Sequence, residues 1–256
     1  MNKLPARAGW DWVKQGFALF RKQPLSLSVL FFGYLLFTFW MGLIPLAGKA
    51  LSFMLIPAFT VAFMQGCLEA EQGKRVHPRL LLAGVRSPAF PALAKLGLVY
   101  LGVAALAIAA STLIDGGVLL KVIAHQIEGD SKEVKDSAMG AAFLFMTATQ
   151  LLGFVMLSFS GPLIYWKRMS VGKAVFYSVF GILKAFKAFL VFGAVWLGIS
   201  AVIGQVVLLL TGDGAAFSGV LVPLSLIYTI IVFCSFYAMY KQLFGEPEAD
   251  APAKAA

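Results

Sequence analysis

Charged side chains are scarce in this chain. Asp, Glu, Lys and Arg make up 13% of its 256 residues, whereas 60% are hydrophobic and the mean hydropathy is +0.86. A typical soluble domain carries about twice that share of charge on its wetted surface. The composition therefore excludes a water-soluble fold for most of the chain and indicates that lipid surrounds it.

Cysteine and histidine are also rare, with two of each. Two cysteines cannot build a disulfide framework, and no Cys/His cluster has the spacing of metal ligands. The sequence has no GxSxG, no HExxH, no paired carboxylates within one apolar segment and no dinucleotide-binding fingerprint. These absences predict a protein without a metal site, a cofactor or enzymatic activity.

Long apolar runs, by contrast, are abundant. A helix needs roughly 20 apolar residues to cross the hydrocarbon core of a bilayer, and within that core every backbone polar group must be bonded inside the protein. Strands of a membrane barrel would be about half as long and would alternate in polarity. The sequence therefore predicts an all-α polytopic membrane bundle with six transmembrane spans, at Leu25–Leu46, Ala50–Cys67, Pro91–Ile114, Ala138–Gly161, Ala188–Leu210 and Phe217–Tyr240.

The first and third spans differ in the size of their side chains. The third is rich in alanine, for example at Ala104, Ala107 and Ala110, whereas the first is crowded with phenylalanine. Small side chains let neighbouring helices approach closely. We therefore expect the third span at the centre of the bundle and the first span facing lipid.

Lysine and arginine are unevenly divided between the two sets of connecting segments. All but four of the 21 lie near the termini or near the second and fourth connections. The four exceptions are Lys49, Lys121, Lys132 and Lys135. Because basic connections are retained on the cytoplasmic side, the sequence predicts that both termini are cytoplasmic.

Three short basic stretches, which begin at Gly9, His77 and Ser170, each precede a pair of spans. On a helical wheel their bulky apolar side chains share one side and their cations the other. Helices of this kind lie in the membrane interface, a location that also suits the indoles of Trp10 and Trp12. The alternative is that the stretches are connecting helices packed on the bundle. The predicted contacts with anionic lipid head groups are Lys14, Arg21, Lys22, Arg79, Arg86, Lys173, Lys184 and Lys187.

The three stretches define three repeats, each an interfacial amphipathic helix followed by a transmembrane hairpin. The repeats cover roughly residues 9–67, 77–161 and 170–240 of a transmembrane domain that spans residues 1–243. The Ala- and Pro-rich tail, residues 244–256, is expected to be disordered and cytoplasmic. Proline ends the first two stretches, because it cannot continue a helix. The third stretch lacks such a proline, so its helix either runs on into the span or bends without one.

Polar residues inside spans often mark a substrate path. No ionisable residue lies near the middle of a span, which argues against an ion-coupled transporter. The candidates for lining a cavity are two glutamines and three prolines, with one of the prolines in each repeat. The alternatives are hydrogen bonds between helices for the glutamines and ordinary kinks at the prolines. These five residues are Gln150, Gln205, Pro57, Pro162 and Pro223.

Two motifs carry a resemblance to a known family. GWDWVKQGFALFRKQPL near the start and LIPAFTVAFMQG in the second span resemble an uncharacterised family of proteobacterial inner-membrane proteins. That family is similar in layout to the membrane domain attached to some glycerophosphodiester phosphodiesterases. The resemblance implies a bacterial inner (plasma) membrane location and the same unit of interfacial helix and hairpin. It implies no activity and no functional residues.

These observations favour a non-enzymatic membrane protein that binds or organises membrane lipids, or partner membrane proteins, through its basic interfacial helices. The expected partners are anionic lipids and other membrane proteins or further copies of this chain, without nucleic acid, because the basic residues alternate with membrane spans. The alternative function is a transporter or channel for a small neutral or apolar solute.

The predicted orientation can be tested with reporter fusions. A reporter that is active only in the cytoplasm should give signal when it is fused at the amino terminus or in the connection at Arg75, because both segments are basic. Fusion at Lys132, in the least basic long connection, should give none. Activity at Lys132 and silence at Arg75 would reverse the predicted topology.

Overall fold

The computed structural model describes residues 4–44, 47–124, 126–128, 131–212 and 214–247, apart from the side chain of Lys49. All regular secondary structure in these ranges is helical. From residue 248 onward, the tail that was predicted to be disordered lies outside the described residues. In chain order the α-helices are α1 Ala8–Lys22, α2 Pro24–Gly42, α3 Ala47–Glu71, α4 Phe90–Asp115, α5 Val118–Ile123, α6 Lys132–Lys135, α7 Met139–Leu157, α8 Ser160–Lys167, α9 Val171–Lys184, α10 Phe186–Thr211 and α11 Ala215–Phe244, and a 3₁₀ turn at Pro78–Leu82 lies between α3 and α4.

Six of the described helical segments are long and apolar enough to cross a membrane, as the sequence predicts. They are α2, α3 from Ala50, α4, α7 together with α8, α10 and α11. Their outer surface is apolar, since Leu106, Leu144, Leu197 and Leu209 are each at least 70% exposed. Hydrocarbon is the medium in which so much exposed leucine is stable.

The most deeply packed span is α3. Buried residues make up 56% of its apolar stretch, compared with 28% in α4 and 17% in α2. The prediction that the alanine-rich third span forms the centre is therefore wrong, whereas α2 is largely exposed, as expected. A Cβ on Gly97 of α4 would overlap the backbone of Met54, so these two helices are in close contact. The small side chains of α4 allow this approach, but α3 also contacts α2, α8, α11 and the 3₁₀ turn.

The fourth span is broken rather than kinked. Helix α7 ends at Leu157, and α8 begins at Ser160, which places Pro162 in the first turn of a new helix, where its missing N–H has no intrahelical role. Ser178 of α9 bonds both edges of the break: its hydroxyl donates to the carbonyl of Met156 at 2.7 Å and accepts from the N–H of Phe159 at 3.3 Å. The backbone groups that the break frees are thus paired inside the protein.

Ala185 alone separates α9 from α10. Its N–H donates to the carbonyls of Gly181 and Ile182, at 3.2 and 3.1 Å. The third basic stretch therefore bends into its span without a proline, which decides between the two alternatives that the sequence left open.

The three short segments that precede the hairpins pack in a cyclic order. Helix α1 packs on α10 and α11 of the last hairpin. The 3₁₀ turn packs on α2 and α3, and α9 packs on α7 and α8. Each short segment thus contacts the hairpin before it, with the first contacting the last. We call the end of the bundle that carries these three segments the basic end.

Cys67 of α3 and Cys234 of α11 meet inside the bundle. Both are fully buried and free, and their sulfur atoms lie 3.9 Å apart. A disulfide bond needs about 2.05 Å between sulfurs, so a small side-chain movement would close the gap. The pair therefore reports directly on the packing of α3 against α11.

We expect a membrane-permeant oxidant to join these two thiols within one chain. The measurement is the intact mass under non-reducing conditions, which should fall by two hydrogen atoms, together with loss of maleimide labelling after unfolding in detergent. Cys67→Ser should abolish the mass change and leave one thiol to label. Two thiols that remain reactive in the oxidised, non-substituted protein would contradict the packing of α3 on α11.

Candidate functional site

The eight basic residues that were predicted to contact lipid are all exposed at the basic end. Three lie on α1, two lie in or just after the 3₁₀ turn, and three lie on α9 and in the first turn of α10. They do not converge on one pocket. The structure instead distributes them over three separate surface elements, so the candidate site is a surface.

Helix α1 is fixed in place by its buried side. A Cβ on Gly9 would overlap the backbone of Ala188, and one on Gly16 would overlap the hydroxyl of Ser235, so α1 is in close contact with both α10 and α11. The ring of Trp12 is fully buried, and its N–H donates to the side chain of Gln242. The expectation that Trp12 lies in the wet interface is wrong, because a bundle partner satisfies its indole nitrogen.

The opposite side of α1 presents a row in which aromatic and basic side chains alternate. Trp10, Lys14, Phe17 and Arg21 follow each other at spacings of three or four residues, which places them on one face of the helix. Trp10 and Phe17 are 45% and 41% exposed. Phe17 also stacks on Trp196 of α10, with ring centres 6.0 Å apart, which orients the row.

Helix α9 buries small residues and exposes large ones. Ala174, Ser178 and Gly181 face the bundle, together with Ile182. The exposed side carries aromatic rings next to lysines, in the row Lys173, Phe176, Phe180 and Lys184, with Tyr177 beside it. Sequence reasoning placed the lysines away from the bundle but missed these aromatic neighbours, although Phe180 falls on the lysine side of the same helical wheel.

The second basic stretch is shorter than predicted. It contains a five-residue 3₁₀ turn instead of an amphipathic helix, and Gly84 lies against the backbone of Ala58 in α3. Its exposed residues still alternate, since Arg79, Leu82 and Arg86 follow at spacings of three and four residues. We call these sets on α1, the 3₁₀ segment and α9 the three basic–apolar rows.

Most of the cations that were predicted to contact lipid, inside and outside these rows, have no internal counter-charge. Lys14 forms an ion pair with Asp11 at 2.8 Å, and the hydrogen bond from Lys14 lowers the pKa of the Asp11 carboxyl, so that Asp11 stays ionised. Lys22 donates to the backbone carbonyl of Glu71 at 3.2 Å. Within the described parts of the chain, no carboxylate oxygen lies within 4.0 Å of the charged nitrogens of Arg21, Arg79, Arg86, Lys173, Lys184 or Lys187.

The charged groups of a second polar cluster at the basic end pair with each other. Glu71, the last residue of α3, accepts a hydrogen bond from the hydroxyl of Tyr237 at 2.7 Å and pairs with Lys241 at 2.9 Å. Lys241 also pairs with Glu246 at 3.0 Å. These contacts join α3 to α11, and because Lys241 is already paired with two carboxylates, the cluster offers no free cation to an anionic ligand.

The five candidate cavity residues are spread through the bundle. Pro57 and Pro162 are buried, and a Cβ on Gly161 would lie 3.2 Å from the carbonyl oxygen of Pro57. Gln150 is half-buried, whereas Gln205 and Pro223 are exposed on the outer surface of α10 and α11. A further glutamine in a span, Gln65 of α3, does make a contact between helices: its side-chain oxygen accepts from the indole of Trp166 at 3.1 Å.

One comparison with known proteins is informative. A protein of Burkholderia thailandensis described as a probable inner membrane protein is 35% identical to this chain over 264 residues, which cover 98% of this chain and 96% of the relative. No family model matches the chain, and no solved structure matches it.

The docking of α1 can be tested at Gly16. We expect Gly16→Ala to lower stability by about 1–3 kcal/mol, the usual cost of overpacking, because a methyl group would displace the Ser235 hydroxyl from its 3.0 Å bond to Ile231. The measurement is the midpoint of thermal unfolding of the purified protein. Gly172→Ala in α9 is the matched control, since no atom lies within 4 Å of its added Cβ. Equal midpoints for the two variants would contradict the docking.

Proposed function

This chain belongs to the same family as the Burkholderia inner membrane protein, and from that premise we propose that it binds and organises anionic lipids on one leaflet of the bacterial inner membrane. The role is non-enzymatic. The three basic–apolar rows are the binding surface, and the six spans hold that surface at the membrane interface.

The observation that carries the proposal is that basic and exposed apolar side chains alternate within the rows. A cation that is three or four residues from an exposed aromatic or aliphatic side chain suits the boundary of a bilayer, where phosphates lie next to the first methylene groups. Phe176 and Phe180 stack with ring centres 4.8 Å apart and lie between the two lysines of the α9 row. A purely aqueous surface would gain nothing from exposing these rings.

The absence of counter-charges supports the same role. A lysine or arginine near an anionic membrane surface contributes about 1 kcal/mol of attraction, and an internal ion pair would cancel much of it. Among the described residues, seven of the eight cations have no carboxylate within ion-pair distance, Lys14 being the exception. Their combined attraction is therefore directed outward.

The cyclic packing supports the three-repeat arrangement. Because each short segment contacts a different hairpin, the rows are distributed around the bundle instead of being gathered on one side. This distribution would recruit a ring of anionic lipids around the protein. The layout shared with the membrane domain of phosphodiesterases stays a prediction.

Transport of a small neutral solute has less support. A transport path would gather polar or irregular elements around one cavity. Gln205 and Pro223 instead face outward, toward lipid. Pro162 lies in the first turn of α8, and the nearby N–H of Phe159 and carbonyl of Met156 are already paired with Ser178.

The test is the composition of the lipid that co-purifies with the protein in polymer-excised membrane discs. We expect the non-substituted protein to be enriched in phosphatidylglycerol over the bulk membrane, and the enrichment to disappear when Arg21, Arg79, Arg86, Lys173, Lys184 and Lys187 are changed to Gln, because each loses its attraction to phosphate.

The matched control changes Lys121, Lys132 and Lys135 to Gln, which removes charge from the predicted outer side and should leave the enrichment intact. Equal enrichment in the six-site variant and the non-substituted protein would exclude the proposed function. Both variants must elute as monodisperse species, so that loss of lipid is not loss of fold.

A further inference from the structure

An apolar pocket lies between α2, α3, α7, α11 and the 3₁₀ turn, with about 490 Å³ of space that includes its open mouth. Six aromatic rings from four helices line it. The ring of Phe233 contacts three others of the lining, with centre-to-centre distances of 6.1, 5.4 and 6.4 Å to Phe31, Phe63 and Phe154. Tyr34 and Phe59, 4.7 Å apart, complete the set.

The pocket is mostly apolar, and the polar side-chain groups among its lining residues are the hydroxyls of Tyr34 and Thr60. No Asp, Glu, Lys, Arg or His lines it. Thr60 lies in its wall, but the hydroxyl already donates to the carbonyl of Ile56 at 2.9 Å. Water needs two or more polar partners to be held in a cavity, and a charged head group would lose its hydration without compensation. Both are therefore poor occupants.

The depth of the pocket decides what reaches its mouth. Phe59 is the central residue of α3, about 18 Å from either end of the helix, and Tyr34 lies next to the middle of α2. Tyr34, Ile56, Phe59 and Phe154 are half-buried, so the rim is open at mid-depth. In a bilayer the medium at that depth is hydrocarbon.

We propose that this pocket is a binding site for one acyl chain of a bilayer phospholipid. The chain enters sideways between α2 and α3, lies against the aromatic rings and contacts Leu81 of the 3₁₀ turn. Leu81 also approaches Gly33 of α2, since a Cβ there would lie 2.6 Å from Leu81 Cδ1. The bound chain thus connects a membrane span to one of the three surface segments.

This inference goes beyond head-group binding, because no charged side chain is among the residues that line the pocket, although one of them, Leu81, belongs to the 3₁₀ turn that also carries Arg79. The two ideas therefore make separate predictions. Removing the cations of the basic–apolar rows should change which lipids surround the protein and leave the pocket occupied.

The experiment uses the full chain in bilayers that contain a phospholipid with a diazirine at the middle of one acyl chain. After illumination, cross-linked peptides are mapped by mass spectrometry. We expect labelling of residues 30–34 and 56–63 in the non-substituted protein. Ile56→Trp, which fills the pocket, should lose this labelling, whereas Leu106→Trp, a similar change on the exposed surface of α4, should keep it.

A second variant guards against misfolding of the first. Phe59→Ala enlarges the pocket and should raise the labelling of residues 56–63 above that of the non-substituted protein. Unchanged labelling in both Ile56→Trp and Phe59→Ala, or label confined to outward residues such as those around Leu106, would overturn the proposal.

A comparison of probes with different head groups distinguishes this proposal from the proposed function. Phosphatidylglycerol and phosphatidylcholine probes should label the pocket equally, because no charge lines it. A pocket labelled by the anionic probe alone would overturn the acyl-chain site. Equal labelling without any enrichment of anionic lipid would leave the acyl-chain site standing and exclude the proposed function.

Discussion

Hydrocarbon as solvent is the constraint on which the rest of this structure depends. It leaves exposed leucine and phenylalanine without penalty, and it forbids unpaired backbone groups. The break between α7 and α8 shows how the chain meets the second demand, because the hydroxyl of Ser178 serves a carbonyl on one side of the break and an N–H on the other. The same constraint explains why close helix contacts occur at glycine, as between Gly97 and Met54, since no water is released when apolar surfaces meet in lipid.

The surface at the basic end differs from the spans because it carries most of the charged side chains. Internal charges there fall into two sets. Glu71, Lys241 and Glu246 pair with each other and join α3 to α11, whereas the cations of the three basic–apolar rows mostly lack an acidic partner. The division separates charges that hold the bundle together from charges that are free to meet an external anion.

Sequence reasoning predicted the six spans well, because length and hydropathy are properties of each segment alone. The predicted spans agree with the observed helices to within a few residues at most ends, as with Pro91–Ile114 and α4. Sequence reasoning failed where the position of a residue or helix depends on the other segments that it packs against. The alanines of the third span are compatible with a central position, but α3 occupies the centre of the bundle because it packs against more of the other elements. Tryptophan is typical of membrane interfaces, but the sequence around Trp12 does not reveal that Phe189, Phe192 and Gln242 surround its ring. The eight cations are exposed, and their contact with lipid head groups stays a prediction, whereas the aromatic neighbours on α9 were overlooked.

The packing of α1 on α10 and α11 has a consequence for how the protein is made. Helix α1 is synthesised before α10 and α11, so the ring of Trp12 cannot be buried until both of these helices have been inserted. The packing of α1 is therefore a late step of assembly. A chain truncated before α11 would display an unsatisfied face, by which the quality-control proteases of the cell could distinguish it from a finished molecule.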